Sequence, residues 1–218
     1  MASVLKRRDT DMTEGSIPRL LIYFALPLMI GNVFQQLYNT VDTLIVGNFV
    51  GTQALAAVGA TSSFVQLLVG LFVGLCSGAG VIIAQSFGAG DHDEVNRQVH
   101  TALALAIAGG AALTVIGLLI SRPVLRLMQT PDEIVGMASE YLQIYFLGMI
   151  PQMIYNMGTN ILRAVGDSRR PLYFLIFSAV MNIVLDLLFV CSFHMGVAGV
   201  AYATIISQIL SAVLVIIV

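Results

Sequence analysis

Six long apolar stretches run through the sequence, and short segments rich in glycine, proline and charge separate them. They cover residues 17–46, 54–86, 95–120, 134–162, 172–191 and 197–218. Each has at least the roughly 20 residues that an α-helix needs to cross about 30 Å of hydrocarbon. Because backbone polar groups in lipid must be satisfied within the segment, the pattern predicts six transmembrane helices. The predicted fold class is therefore an all-α membrane protein, a six-helix bundle.

The composition favours lipid as the solvent of this chain. Of its 218 residues, 58% are hydrophobic and only 10% are charged, whereas soluble domains carry about 25% charged residues. The net charge of −2 gives no basic field, so membrane lipid is an expected partner and nucleic acid is not. The sequence shows no nucleotide-binding loop, nucleophile elbow or zinc-binding helix motif, so we expect neither an enzyme nor a cofactor.

Lysine and arginine are unevenly divided between the two sides of the predicted bundle. If the N-terminus is cytoplasmic, only Arg122 and Arg126 lie outside. The other eight lie inside: Lys6, Arg7, Arg8, Arg19, Arg97, Arg163, Arg169 and Arg170. The positive-inside rule thus predicts a cytoplasmic segment over residues 1–16, followed by a six-helix unit over residues 17–218. The sequence stops at Val218 inside an apolar helix, and we interpret the chain as the first half of a longer protein.

Two carboxylates, Asp42 and Asp186, lie within apolar stretches. A charge at bilayer depth costs about 2.5–3.5 kcal/mol on insertion scales, so each is by default a functional hypothesis. Counting the helical rise places Asp186 ~9 Å and Thr204 ~11 Å from the outer ends of their helices. Asp42 also lies near the outer end of its helix. We therefore expect these oxygen-bearing side chains to form one polar pocket in the outer half of the bundle.

Further polar residues have a spacing that brings them to this pocket. Gln35, Tyr38 and Asp42 share one helical face, and Asn39 lies beside them. Asn182 lies one turn from Asp186 on the same face. Tyr141, near the outer surface, is interpreted either as an interfacial anchor or as a pocket-lining residue.

The expected chemistry of the pocket is the binding of a small cation. Low dielectric and a second carboxyl nearby favour the neutral form of a carboxyl group, so the pair can take up and release protons. The same carboxylate, amide and hydroxyl oxygens suit Na⁺, and the sequence does not choose between H⁺ and Na⁺. The structural alternative is a set of hydrogen bonds between helices. A purely structural pair of carboxylates would need a cationic partner, and no lysine or arginine lies at their depth.

Two other features concern helix geometry. Pro27 lies inside the first helix, where it removes one backbone hydrogen bond, so a kink is expected, either static or a bending hinge. Gly70, Gly74 and Gly78 recur every four residues. This spacing predicts a close-packing face on the second helix.

Several segments together resemble multidrug and toxic compound extrusion (MATE) transporters. The first is TEGSIPRLLIYFALPLMIGNVFQQLYNTVDTLIVGNFVG, which resembles the family's first helix. AQSFGAGD, ILRAVGDSRRP and GVAGVAYATIISQ resemble its first cytoplasmic loop, its helix 4–5 loop and its helix 6 opening. The resemblance covers essentially the whole chain. It implies a fold of twelve helices in two lobes around a cavity, of which this chain is the N-terminal lobe and a C-terminal lobe is missing.

The resemblance also implies a function and a set of roles. The family exports cationic or amphipathic compounds in exchange for H⁺ or Na⁺, here across a bacterial or archaeal plasma membrane. The implied ion-coupling residues are Asp42, Asp186, Asn182 and Thr204. The implied pocket residues are Tyr38, Tyr141 and an asparagine on the fourth helix, either Asn156 or Asn160. The implied kinking proline is Pro27, and the implied partners are small-molecule substrates and the second lobe.

Two alternatives remain beside secondary active efflux. One is a flippase for lipid-linked precursors from the same superfamily, which would be expected to line its cavity with cationic residues that hold phosphates. No lysine or arginine lies in the middle of a predicted helix, which argues against it. The other is a truncated lobe that does not transport, because alternating access needs one repeat to move against another.

Overall fold

The computed structural model describes residues 17–218, without the side chains of Ile17, Arg19 and Leu20. In this range the regular structure consists of helices, which confirms the all-α fold class. They are α1 Ile17–Ile45, α2 Thr52–Gly88, α3 His92–Leu127, α4 Asp132–Leu147, α5 Met149–Ala164, α6 Arg169–Leu187 and α7 Gly196–Ile217. The predicted cytoplasmic segment 1–16 lies outside the described residues.

Five described segments are long and apolar enough to cross a membrane: 21–50, 52–88, 92–127, 169–192 and 196–217. The segment 134–162, predicted as one helix, is instead two helices of 16 residues that meet at Gly148. Pro151 favours the break, because it has no N–H to donate to the carbonyl of Leu147 four residues earlier.

Helices α4 and α5 together take the place of the remaining crossing. Each alone is about 24 Å long, too short for the hydrocarbon core. Both pack against α3 and they barely touch each other, as expected for helices joined end to end. Thr114 of α3 donates a hydrogen bond at 2.9 Å to the carbonyl oxygen of Phe146, beside the break. This bond satisfies a carbonyl that the interrupted helix leaves exposed.

The two helices that carry the predicted carboxylates pack against each other and end in the same way. A π-helical turn, Val46–Val50, follows α1, and a second, Leu188–Ser192, follows α6. Isolated π turns inside helical segments are rare and occur frequently at functional sites. The two turns contact each other, so they close the end of the bundle beyond Asp42 and Asp186. The described helix α1 continues through Pro27 without a break.

Two apolar clusters form the core. The larger joins α2, α3, α4 and α5 around Leu113, Phe146 and Met153. The smaller, around Val46, Tyr141 and Val200, joins α1, α4 and α7 beside the two π turns. Close helix contact is made at Gly110, where an added Cβ would lie 2.7 Å from Ile150 Cα.

The predicted close-packing face on α2 is wrong. An added Cβ at Gly70, Gly74 or Gly78 would meet no atom within 4 Å. Gly74 and Gly78 line an open groove between α2 and α3 instead. The spacing alone does not distinguish a face that packs on a helix from one that is left open to the surroundings of the lobe.

Candidate ion site

The two predicted carboxylates meet where α1 packs against α6. Asp42 and Asp186 lie within hydrogen-bonding reach of each other. Asp186 is completely buried, and Asp42 is partly buried. Two carboxylates in contact cannot both be ionised without strong repulsion, so the pair favours a proton or a metal cation between them.

Asn182 connects the carboxyl pair to α7. This side chain has 0% exposure. With its amide nitrogen directed at Asp186, Asn182 donates to Asp186 Oδ2 at 3.0 Å. Its amide oxygen then accepts from the Thr204 backbone N–H at 3.3 Å. The Thr204 hydroxyl donates to the carbonyl of Val200 at 3.1 Å. These bonds fix the amide and leave the hydroxyl oxygen free to accept.

Three tyrosines surround the carboxyl pair. Tyr38, one turn before Asp42, lies within hydrogen-bonding reach of Thr204. Tyr141 is 7% exposed and stacks on Tyr145, with ring centroids 6.0 Å apart. The structure thus places Tyr141 beside the pocket and away from the surface.

Tyr145 is a member of this group that the sequence analysis missed. It lies near Asp42 and close to Gln152 of α5, beyond the break between α4 and α5. The signal available in the sequence was its position four residues after Tyr141, which places both rings on one helical face.

The other predicted site residues lie elsewhere. Gln35 and Pro27 line a separate polar cavity of about 190 Å³, together with Asn156 and Asn160 of α5. The cavity therefore includes both asparagines between which the sequence could not choose. Asn39 is exposed, and its amide nitrogen donates to Gln36 Oε1 at 3.4 Å. The structure thus forms two polar groups from the predicted residues and leaves Asn39 outside both.

The charge balance of the carboxyl pair is unusual for a buried site. The ion pairs of the described residues, Arg97 with Glu94 and Arg170 with Asp167, lie at helix starts and do not include the carboxyl pair. Asp42 Oδ1 and Asp186 Oδ1 are buried and have no hydrogen-bond partner. Buried charges are normally paired or coordinate a metal. Two partnerless carboxylate oxygens in neighbouring buried side chains therefore leave negative charge that a proton or a small cation would neutralise.

The model of the MatE family matches residues 27–188. The chain belongs to the MatE family. The matched range includes Asp42, Asn182 and Asp186, whereas Thr204 follows it. A MatE chain with these hydrophobic helices is a multi-pass membrane protein.

Curated relatives are about twice as long as this MatE chain. It is 38% identical over 202 residues to the probable multidrug resistance protein YpnP of Bacillus subtilis, covering 91% of this chain and 44% of that protein. It is 25% identical to an FAD transporter of Shewanella oneidensis, covering 92% and 45%. The chain thus spans about half the length of the curated relatives it matches.

Solved structures have the same fold over the same half. A MOP superfamily transporter from Pyrococcus furiosus superposes with a TM-score of 0.90 at 29% identity, covering 96% of this chain and 46% of that one. An outward-facing multidrug resistance MATE transporter has the same TM-score, identity and coverage. These matches confirm the prediction of a half-transporter fold.

Proposed function

We propose that this chain forms the ion-coupling lobe of a secondary antiporter, which exports cationic or amphipathic compounds in exchange for H⁺ or Na⁺. The observation that carries the proposal is the buried contact between Asp42 and Asp186, each with a partnerless oxygen. The names of relatives such as the multidrug resistance protein YpnP support the drug class of the cargo.

In this proposal the coupling ion occupies the carboxyl pair. Binding of one cation removes the repulsion between Asp42 and Asp186 and draws α1 towards α6. Loss of the cation restores the repulsion, which favours separation of the same two helices. An ion that binds one arrangement more tightly than the other shifts their equilibrium by the difference in affinity. The ion gradient thereby drives the change of access.

The test is gradient-driven efflux of a cationic dye from cells that produce the full-length gene product. Asp42→Asn and Asp186→Asn each remove one charge with little change in volume. We expect each to reduce efflux by at least about tenfold at equal protein level, whereas Asp132→Asn, at the start of α4, serves as the control. Undiminished efflux in both site variants would refute ion coupling at this pair.

A second candidate is an anionic cargo, for example the phosphate group of a lipid-linked precursor. It is favoured by Arg163, a cation that lines the polar cavity between α1 and α5. An FAD transporter among the relatives supports this cargo class. Arg163→Gln would then abolish transport of a phosphate-bearing cargo and preserve efflux of a cationic dye. If Arg163→Gln left transport of the phosphate-bearing cargo unchanged, antiport of cations would remain the function.

The proposed orientation of the lobe in the membrane follows from three arginines. We propose that the end of the lobe where α5 passes to α6 is cytoplasmic, because Arg163, Arg169 and Arg170 cluster there. The partner proposed for the lobe is a second six-helix unit, since the relatives are about twice as long. A protease site inserted after Gly166 should be cut only from the cytoplasmic side of membrane vesicles.

A further inference from the structure

An open groove of about 590 Å³ runs along the seam between α2 and α3. This volume is in the range of sites that hold small organic ligands. The groove is charged at one end, where Glu94 and Arg97 line it close to the turn between the two helices. The rest of its wall is mainly aliphatic or has no side chain at all, and it includes Gly74, Gly78, Ile82, Ala102 and Leu105.

The depth of the groove in the membrane follows from α3. Residues 102–120 contain no charged residue and form about 28 Å of helix, which matches the thickness of the hydrocarbon core. Arg97 precedes this stretch and therefore lies at the level of the lipid head groups. Gln98 donates to Ser86 Oγ at 2.9 Å, which sets the register of α2 against α3. Gly74, one groove wall residue, lies 12 residues before Ser86 and so about 18 Å deeper. The groove thus spans one leaflet, from the head groups to near the middle of the bilayer.

The exposed faces of α3 and α1 suit different surroundings. Within residues 102–120, the exposed side chains of α3 are all alanine, leucine, isoleucine or valine, as expected for contact with lipid. The exposed face of α1 instead includes Asn32, Gln36 and Asn39. Polar side chains at bilayer depth face protein or a water-filled cavity. This contrast assigns the second six-helix unit to the α1 side and leaves the groove between α2 and α3 to lipid.

The charges at the mouth of the groove select a head group. Residues 91–98 contain three carboxylates, Asp91, Asp93 and Glu94, and one guanidinium, Arg97, which sum to −2 with histidine neutral. The Arg97 side chain is 77% exposed and donates to Glu94 Oε2. A guanidinium has five N–H donors, so Arg97 has others for a phosphate. The surrounding carboxylates disfavour a head group with net negative charge and attract an ammonium group.

We propose that the groove between α2 and α3 binds phosphatidylethanolamine. One acyl chain lies along Gly74 and Gly78, the phosphate contacts Arg97, and the ammonium group lies by the carboxylates at the start of α3. The assignment gives the recurring glycines a role, since neither packs on another helix and each leaves room for the acyl chain. The proposal does not depend on the ion site or on the identity of the cargo.

The experiment is photo-crosslinking of the full-length gene product in phosphatidylcholine nanodiscs. The probe is phosphatidylethanolamine with a diazirine at the end of one acyl chain, and mass spectrometry locates the cross-linked peptides. We expect the cross-links to concentrate at residues 74–78 of α2. Unlabelled phosphatidylethanolamine should compete about fivefold better than phosphatidylglycerol with the same acyl chains, the effect of about one unit charge at a membrane surface.

The variants test the two ends of the groove separately. Gly78→Leu fills the groove and should abolish the cross-links, and Gly74→Leu, one turn deeper, should do the same. An added Cβ meets no atom within 4 Å at either position, so the leucine is accommodated. Gly70→Leu is the matched control, because Gly70 is equally open and lies one turn beyond the groove. Arg97→Gln should weaken the binding of phosphatidylethanolamine about fivefold, whereas Arg122→Gln, near the other end of α3, should have no effect.

Three outcomes would overturn the proposal. Equal cross-linking in Gly78→Leu and Gly70→Leu would show only the ordinary lipid that surrounds any membrane helix. Stronger competition by phosphatidylglycerol than by phosphatidylethanolamine would refute the head group. A wild-type protein without cross-links at residues 74–78 would show that protein, such as the second six-helix unit, covers the groove. None of these outcomes bears on ion coupling, which the efflux assay tests separately.

Discussion

The close approach of α3 to α5 at Gly110 gives a prediction whose size follows from the structure. A Cβ added there would lie 2.7 Å from Ile150 Cα and 3.1 Å from Met149 O. The first distance is about 0.7 Å short of ordinary contact, which begins at 3.4 Å. Because the obstructing atoms are backbone, no side-chain rotation relieves the clash. The two helices must therefore separate in Gly110→Ala.

The expected cost combines two opposing effects. Overpacking of a well-packed contact costs about 1–3 kcal/mol, whereas alanine in place of a helical glycine stabilises by about 0.5–1 kcal/mol. We expect Gly110→Ala to lower the free energy of unfolding by about 1–2 kcal/mol.

The assay is reversible unfolding in mixed dodecyl maltoside and sodium dodecyl sulfate micelles, followed by the fluorescence of the 7 tyrosines in a chain without tryptophan. Gly74→Ala is the matched control, since a Cβ there would meet no atom within 4 Å. It should be neutral or stabilising by up to about 1 kcal/mol. Equal stability of the two variants would refute the close contact between α3 and α5.

Two further predictions use the same unfolding assay. Asp167 Oδ1 accepts the backbone N–H groups of Arg169 and Arg170, both at 3.1 Å. Asp167→Ala should therefore cost about 1–2 kcal/mol and Asp167→Asn clearly less, and equal costs would show that the cap adds nothing. Asn182→Leu removes a donor to Asp186 and an acceptor for the Thr204 N–H, which should cost about 1–3 kcal/mol. An unchanged stability would show that the amide makes neither bond.

The residues that meet at the carboxyl pair were accessible to sequence reasoning because two simple rules apply to them. Helical periodicity placed Tyr38 with Asp42 and Asn182 with Asp186, and counting the rise per residue placed Thr204 at a similar depth. Asn39 lies within three residues of Asp42 and yet faces outward. Because residues three apart share a helical face, helical spacing alone did not decide which of them reaches the carboxyl pair.

Other features depend on packing between helices and were not predictable by counting. The break at Gly148 required weighing Pro151 against a long apolar run. The position of Tyr145 near Asp42 emerged only from the way the helices pack. The glycines of α2 were predicted to pack and do not. Whether a helical face packs depends on partner helices, which the periodicity of one helix does not specify.

The measurement that tests the central claim most directly is an equilibrium infrared titration of the carboxyl groups in the 218-residue chain. If Asp42 and Asp186 share one cation, they are coupled, and removing one must change the titration of the other. We predict that Asp42→Asn shifts the midpoint of Asp186 by about one pH unit or more, the interaction expected for a coupled pair. Asp132→Asn should cause no shift. An Asp186 that titrates identically with and without the Asp42 carboxyl would contradict the account.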